Sequence, residues 1–340
     1  MTLVSVIVPC YNEQATIGLL LNALYTQTFP RQEMEVIIAD GLSEDCTRQE
    51  IEAFQLAHPQ LKIKVVDNQK RNIPSGLNRA ITTSNGEFII RLDAHSIPYP
   101  DYVERCVSAL QSDLGENVGG VWEIKSAGEG WMARAIAAAV SHPLGVGDAY
   151  YRYTGSARPV DTVPFGAFRR ALVDRIGLFN ETLLTNEDYE FNVRIRQANG
   201  QVWLDPAIRS VYFARSTWSS LIRQYWRYGF WKGRMLLRYP HTLRWRQALP
   251  PLFVLSLIGF AMLGLWSPLA RILLAAEIGL YALSLFIVGS ILAVKKQDIG
   301  MLAGVPLAIG SMHISWGTAL LWSLISSPGK FFMPASTRKS

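Results

Sequence analysis

Short apolar runs recur along the first part of the chain with helical patterns between them. They are Val4-Ser-Val-Ile-Val8, Met34-Glu-Val-Ile-Ile-Ala39, Ile63-Lys-Val-Val66 and Glu87-Phe-Ile-Ile-Arg-Leu92. Each reads as a strand, and each is separated from the next by enough chain for one crossover helix. Near-continuous apolar strands predict a sheet covered by helices on both faces, hence an α/β fold with a mostly parallel sheet and right-handed connections. Polar residues gather just past the strand ends, as Tyr11-Asn12-Glu13, Asp40-Gly41, Asp67-Asn68 and Asp93-Ala94-His95. In a parallel sheet those ends share one edge, where open α/β sheets bind their ligands.

The pattern changes past Asp205, beyond which no Asp or Glu occurs before Glu277. Three apolar stretches follow, Ala248 to Ser267, Leu269 to Val294 and Met301 to Ser326, each long enough to cross a hydrocarbon core of roughly 30 Å as a helix. Arg271 and Glu277 interrupt the second, and Pro306, His313 and Ser315 the third; helix-to-helix or interfacial contact is the expected use of such residues. Just before these stretches, Arg223, Arg227, Lys232, Arg234, Arg238, Arg244 and Arg246 alternate with Trp218, Tyr225, Trp226, Tyr228, Phe230, Trp231 and Trp245. Basic plus aromatic residues beside an oily segment predict a membrane interface. The expected organisation is therefore an α/β domain over 1–215, interfacial helices over 216–247 and a membrane region of about three helices over 248–330. Three crossings from a cytoplasmic N-terminus keep Lys295 and Lys296 inside but send Lys330, Arg338 and Lys339 outside, against the positive-inside preference.

Composition narrows the class. With 49% apolar and 18% charged residues and a mean hydropathy of +0.14, the chain is too oily for an ordinary soluble enzyme, and disorder, collagen and coiled coil are excluded. The net charge of +6 sits mostly in the basic and aromatic belt, so it addresses a lipid bilayer, and no nucleic-acid partner is expected. Cys10, Cys46 and Cys106 are odd in number and lack metal-type spacing, which fits a reducing cytoplasm. Cys10 reads as a packed small apolar residue. The N-terminus enters a strand at once, so no signal peptide is expected and the α/β domain faces the cytoplasm of a multi-pass inner-membrane protein. No Gly-x-Gly-x-x-Gly follows the first strand, and neither a P-loop nor a Gly-x-Ser-x-Gly elbow occurs, so a dinucleotide fold, a P-loop NTPase and a serine hydrolase of this class lose support.

Three constellations carry candidate chemistry. Asp93 and His95 stand two apart at a strand end, so in extended backbone both face one point and form either a divalent cation site or a cap and a polar loop residue. Glu187 and Asp188, in Asn186-Glu-Asp-Tyr-Glu190, either favour a helix macrodipole or supply a carboxylate that deprotonates an attacking hydroxyl. Gln224 and Arg227, in Gln224-Tyr-Trp-Arg-Tyr228, are neighbours on a helix and meet an acceptor or diphosphate, or else simply anchor an interfacial helix.

Taken in order, Pro9-Cys-Tyr-Asn-Glu13, Asp40, Ser75-Gly-Leu-Asn-Arg-Ala80, Asp93-x-His95, Phe165-Gly-Ala-Phe-Arg-Arg170, Glu187-Asp188 and Gln224-x-x-Arg227-Tyr228 closely resemble the family 2 glycosyltransferases, over about two-thirds of the chain. The run Ile38 to Thr47, the Asp-Ala-His triplet and the oily C-terminal segments look most like the succinoglycan-type, ExoA-like membrane enzymes. The resemblance implies a glycosyltransferase A-type fold and an inverting, metal-assisted transfer from a nucleoside diphosphate sugar, expected to be a UDP-sugar, onto a polyprenyl diphosphate-linked glycan in exopolysaccharide or cell-surface glycan assembly. By that resemblance Pro9, Tyr11, Glu13, Asp40, Asn78 and Asp93 bind the donor, and Asp93 with His95 binds Mn2+ or Mg2+. Asp188 is the catalytic base with Glu187 in support, and Gln224, Arg227 and Tyr228 meet the acceptor or diphosphate. His95 replaces the second Asp of the family's Asp-x-Asp pattern, which shifts preference towards manganese. Tyr228 stands where Trp is usual.

Two other readings compete. A processive polysaccharide synthase needs spans on both sides of its catalytic domain, and none is expected ahead of this one. A catalytically silent membrane scaffold has no physical need for Asp40, Asp93 and Asp188 to converge, desolvated, on one edge. The sequence does not fix an oligomeric state.

Overall fold

The computed structural model describes residues 2–326. The chain forms two compact units, one running to Glu123 and resuming over Tyr150–Tyr212, the other formed by Ile124–Ala149 and the chain from Phe213. The 124–149 excursion into the second unit has no counterpart in the hydropathy pattern.

Nine strands and twelve helices follow in the order β1 (Val4–Cys10), α1 (Ile17–Tyr25), β2 (Met34–Asp40), α2 (Thr47–Ala57), β3 (Lys62–Asp67), α3 (Ile73–Thr83), β4 (Phe88–Arg91), β5 (Ile97–Pro98), α4 (Tyr102–Gln111), β6 (Asn117–Ser126), α5 (Trp131–Ala139), α6 (Pro143–Val146), β7 (Arg158–Pro159), β8 (Ala167–Arg169), α7 (Arg170–Ile176), α8 (Glu187–Gln197), β9 (Val202–Ala214), α9 (Trp218–Arg238), α10 (Trp245–Leu263), α11 (Pro268–Lys296) and α12 (Met301–Ile325). The strands make one sheet ordered β3-β2-β1-β4-β8-β6-β9-β5, with β7 on β9. The expected parallel sheet is present across β3, β2, β1 and β4. Beyond β4 the ladder turns antiparallel through β8. The short β5, β7 and β8 are too brief to show a period of their own in the sequence.

Alternation along β1 fixes the layers, because successive side chains of a strand point to opposite faces. Val4, Val6 and Val8 join α1 and α4 residues such as Leu20, Leu24, Val103 and Cys106 on one face. Ile7 joins Leu77 of α3 and Phe191 and Ile195 of α8 on the other. Full burial of each such side chain is worth about 1.5–3 kcal/mol. Helix α3 starts where its sequence says it should: the Asn72 side chain accepts the Ser75 N–H at 3.0 Å and Pro74 occupies the first turn, a position that tolerates a missing N–H.

In the second unit α10 and α11 are, by length and composition, apolar enough to cross a membrane. The third expected span coincides with α12, yet α12 is the centre of this unit. Val305, Ile309, Met312, Ala319 and Leu320 are buried, and the helix packs on α5, α9, α10 and α11. An apolar helix of this length reads alike whether lipid or protein surrounds it, which is why the sequence places it with the spans. The C-terminal basic residues Lys330, Arg338 and Lys339 lie outside the described residues.

Candidate functional site

The parallel register aligns Cys10 with Asp40 and Asp40 with Asp67, so three strands end at one level. Asp40 is fully buried. Its carboxylate accepts the Ser43 N–H at 3.0 Å and the Ser43 hydroxyl at 2.5 Å. Arg48 spans two strand ends, donating Nε to Asp40 at 2.6 Å and Nη2 to Asp67 at 2.6 Å, and these bonds, that to Asp67 first, hold its pKa above the ordinary arginine value. Burial, with Asp40 and Glu13 adding to it, pushes the Cys10 thiol far up, so Cys10 is packing and not a nucleophile.

The loop after β1 is stitched to the loop after β2. The Asn12 N–H donates to Ser43 Oγ at 2.9 Å, the Glu44 N–H donates to Asn12 Oδ1 at 2.9 Å, and the Glu13 N–H donates to Thr47 Oγ1 at 2.7 Å. Asn12 takes a positive φ of 54°, which Asn tolerates better than most residues. Pro9 is half-buried ahead of this loop. Tyr11 is exposed, with the Arg71 guanidinium 5.7 Å from its ring centre. The Glu13 carboxylate takes the Thr16 hydroxyl on Oε2 and meets His95 Nδ1 at 3.0 Å on Oε1, so the first and fourth strand ends are tied together.

Behind them lies an acidic cluster around one arginine. Arg91, nearly unexposed on β4, donates Nη2 to Glu187 at 2.9 Å and lies 3.3 Å from Asp93 Oδ1. Glu187 and Asp188 open α8 directly after Asn186, which adopts φ 67°. Burial raises the pKa of both carboxyls and Arg91 pulls both back down, while Asp93 adds to the rise at each and Asp188 adds to it at Glu187. Burial disfavours the Arg91 charge, and the surrounding Asp93, Glu187 and Asp188 more than reverse that. Arg91 Nη1 is buried with no partner among the described residues, a donor that an anionic ligand oxygen would satisfy. The unit thus gathers a raised-pKa carboxylate pair, an anchoring cation and a half-exposed acid at one edge, the combination expected of general acid–base chemistry on a polar ligand.

Sequence reasoning did not single out Arg91 or Arg48. The signal for Arg91 was present, since an arginine inside the apolar run Phe88 to Leu92 must find a buried acid. Asn78, expected at the donor, meets the chain before α8. Its Nδ2 donates to the Phe179 carbonyl at 2.9 Å and to Glu181 at 3.0 Å, and its Oδ1 accepts the Phe179 N–H at 2.8 Å. Both donor hydrogens and one of the two oxygen lone pairs are used on the 179–181 loop, so this side chain clamps that loop to α3.

Asp93 and His95 could hold a divalent cation through one oxygen and one nitrogen donor. Among the described residues no group of three or more His, Cys, Asp or Glu side chains is gathered for a metal, so a cation here would take the rest of its ligands from substrate and water. Gln224, Arg227 and Tyr228 lie on α9 in the second unit. Gln224 Nε2 donates to the Tyr228 hydroxyl one turn along at 2.9 Å, and Arg227 is exposed.

The family model of glycosyl transferase family 2 matches residues 5–177, half of the chain. The succinoglycan biosynthesis protein ExoA of Rhizobium meliloti (strain 1021) is 28% identical over 94% of this chain and 94% of its own length. A Methanococcus voltae enzyme, dolichyl N-acetyl-alpha-D-glucosaminyl phosphate 3-beta-D-2,3-diacetamido-2,3-dideoxy-beta-D-glucuronosyltransferase, is 28% identical over 78% of this chain and 83% of its own. Among solved structures, the mannosyltransferase PcManGT from Pyrobaculum calidifontis in complex with GDP-Man and Mn2+ shares the fold with a TM-score of 0.59 and 20% identity, covering 95% of this chain and 87% of that one. A sheet whose strand ends carry these carboxylates, joined to a sequence that fits the family model from the first strand through α7, makes this chain a member of glycosyl transferase family 2 and a glycosyltransferase.

Proposed function

We propose that the chain transfers a sugar, with inversion, from a nucleoside diphosphate sugar to a lipid-linked acceptor at the cytoplasmic face of a membrane. The observation that carries this reading is the buried Arg91 cluster, in which Asp93, Glu187 and Asp188 surround one cation at the end of β4. Breaking a sugar–diphosphate bond leaves negative charge on the leaving group, and the acceptor hydroxyl is a poor nucleophile. Asp188 takes the hydroxyl proton, and its raised pKa suits that task,. Glu187 and Arg91 hold the start of α8 against the sheet, so the base stays aimed at one place. A single displacement at the anomeric carbon inverts it.

Asp93 and His95 would hold a divalent cation, which when bound supplies the positive charge that stabilises the departing diphosphate. The Mn2+ in the Pyrobaculum structure supports a cation. The lipid-phosphate acceptor named for the Methanococcus enzyme supports a lipid-linked acceptor here, as do two helices fit to cross a membrane and the basic, aromatic α9 that precedes them. The test is a panel of UDP- and GDP-sugars with manganese, read as nucleoside diphosphate release with and without a polyprenyl diphosphate sugar. Acceptor-dependent release adding one sugar per acceptor supports the proposal. Release unaffected by any lipid-linked acceptor overturns it.

A further inference from the structure

We infer that α10 and α11 cross the membrane as a two-pass hairpin while α12 stays at the surface from which the hairpin enters, so that both ends of α12 lie on that side. The inference rests on the membrane-bound reading above and deepens it.

Apart from Arg271 beside the turn, the outward faces of the hairpin are largely apolar, with Leu255, Ile258 and Met262 of α10 and Leu280, Phe286 and Ile291 of α11 exposed. At 1.5 Å per residue α10 is about 28 Å long and α11 about 44 Å, against a hydrocarbon core of roughly 30 Å. Polar groups between the two helices are turned to each other, Ser256 donating to Glu277 at 2.5 Å, as lipid demands. The connection at 264–267 holds Leu265 and Trp266, both well exposed, and no charge. Arg244 and Arg246 flank the start of α10, and Lys295 and Lys296 end α11. These four charges fall at the open end of the hairpin, against Arg271 alone, exposed in the first turn of α11, at the other end, the asymmetry of a segment inserted from the more basic side.

Helix α12 cannot follow the hairpin into lipid, because it is zipped to α9. Trp218 Nε1 donates to Ser311 Oγ at 2.6 Å. A Cβ on Gly229 would lie 2.2 Å from the Trp316 carbonyl oxygen, and one on Gly233 would lie 2.7 Å from Ser323 Cβ, so the two backbones touch at points one turn apart on α9. One face of α9 carries exposed Arg223, Arg227 and Arg238. Each arginine at the centre of a bilayer costs at least about 2.5–3.5 kcal/mol, so α9 lies at the headgroups and holds α12 there. The other flank agrees: Gly304 packs on Ala135 of α5, and Arg134 of α5 pairs with Asp298 at 2.7 Å just before α12. A lone hairpin encloses no conduit, so a lipid-linked product leaves on the side where it is made, and a separate transbilayer step must follow.

The experiment uses the full chain with a C-terminal epitope tag in sealed vesicles whose catalytic side faces outward, treated with protease. A second arm labels Leu265→Cys, in a Cys46→Ala background, with a membrane-impermeant maleimide. The inference expects the tag to be lost and Leu265→Cys to label only after the vesicles are opened. A protected tag, or labelling of Leu265→Cys in intact vesicles, overturns the hairpin. Alkaline carbonate extraction separates the two levels: release of the chain overturns the membrane-bound reading and the hairpin with it, whereas retention with a protected tag overturns the hairpin alone.

Discussion

Arg91 reaches Glu187 at 2.9 Å across ninety-six residues of chain, and this single contact joins the last parallel strand to the helix that carries the proposed base. Both side chains are nearly unexposed. Removing one partner of such a pair strands the other charge in a poor solvent, at a cost of about 3–5 kcal/mol, while replacing both by apolar groups costs far less. Arg91→Met is therefore expected to lower the thermal midpoint of the detergent-solubilised chain by several degrees, and the double variant Arg91→Met with Glu187→Met is expected to recover part of that loss. A double variant no better than the single one would show that the ion pair is not what Arg91→Met disrupts.

Asp188→Asn separates function from stability. If Asp188 is the base, donor binding survives and transfer falls by about 100- to 10,000-fold. The stability effect has the opposite sign. Burial raises the Asp188 pKa, so the folded state binds its proton more readily than the unfolded one. The contribution of this group is then most favourable below its unfolded pKa and is lost as pH rises through the folded value. Asn carries no such penalty, so the variant's midpoint should exceed the parent's by more at pH 8 than at pH 5. Thermal scans at the two pH values decide, and an advantage that is larger at pH 5 contradicts the assignment.

The parallel half of the sheet was legible because its strands are apolar and regular, and the strand-end acids were legible because they break that pattern. Arg91 and Arg48 were missed for a shared reason. Their meaning lies in partners that only folding supplies, Glu187 for one and the pair Asp40 and Asp67 for the other. Hydropathy sets α12 beside the spans because it records that a segment avoids water and says nothing about what replaces it. The contacts that keep α12 on α9 are made by glycines, whose side-chain silence leaves no trace in an apolar pattern.

Asn78→Ala tests the clamp on the 179–181 loop. Losing an amide that satisfies a buried backbone N–H and carbonyl leaves groups unpaired at about 1–3 kcal/mol. The expected outcome is a lower thermal midpoint with the donor KM within about twofold of the parent, since typical nucleotide contacts are worth more than that. A large rise in KM with an unchanged midpoint would show Asn78 acting on the donor.

His95→Asp restores two carboxylates at the proposed cation site. An imidazole favours later first-row metals, whereas an all-oxygen set suits Mg2+. The parent is expected to work better with Mn2+ than with Mg2+ at equal concentration, and His95→Asp should narrow that ratio. Exchange also places a carboxylate opposite Glu13, which now meets His95 Nδ1 at 3.0 Å, so apparent metal affinity should become more dependent on salt. Metal titrations of nucleoside diphosphate release check both, and a ratio unmoved by the substitution removes His95 from the ligand set.

Two glycine-to-alanine changes of identical chemistry should act in opposite directions. At Gly18 in α1 an added Cβ meets nothing within 4 Å, so Ala gains its helix preference of roughly 0.8–1.0 kcal/mol. At Gly229 the same carbon would sit 2.2 Å from the Trp316 carbonyl oxygen and 2.9 Å from its carbon. Those are backbone atoms and cannot rotate away, so α9 and α12 must part, and overpacking of this kind costs about 1–3 kcal/mol. Gly229→Ala is accordingly expected to lower the temperature at which the detergent-solubilised chain loses its monodisperse elution peak, and Gly18→Ala to raise it. Because the hairpin inference depends on α9 holding α12 at the headgroups, the Gly229→Ala chain should also show partial protection of a C-terminal tag where the parent shows none, as α12 freed from α9 gains access to lipid.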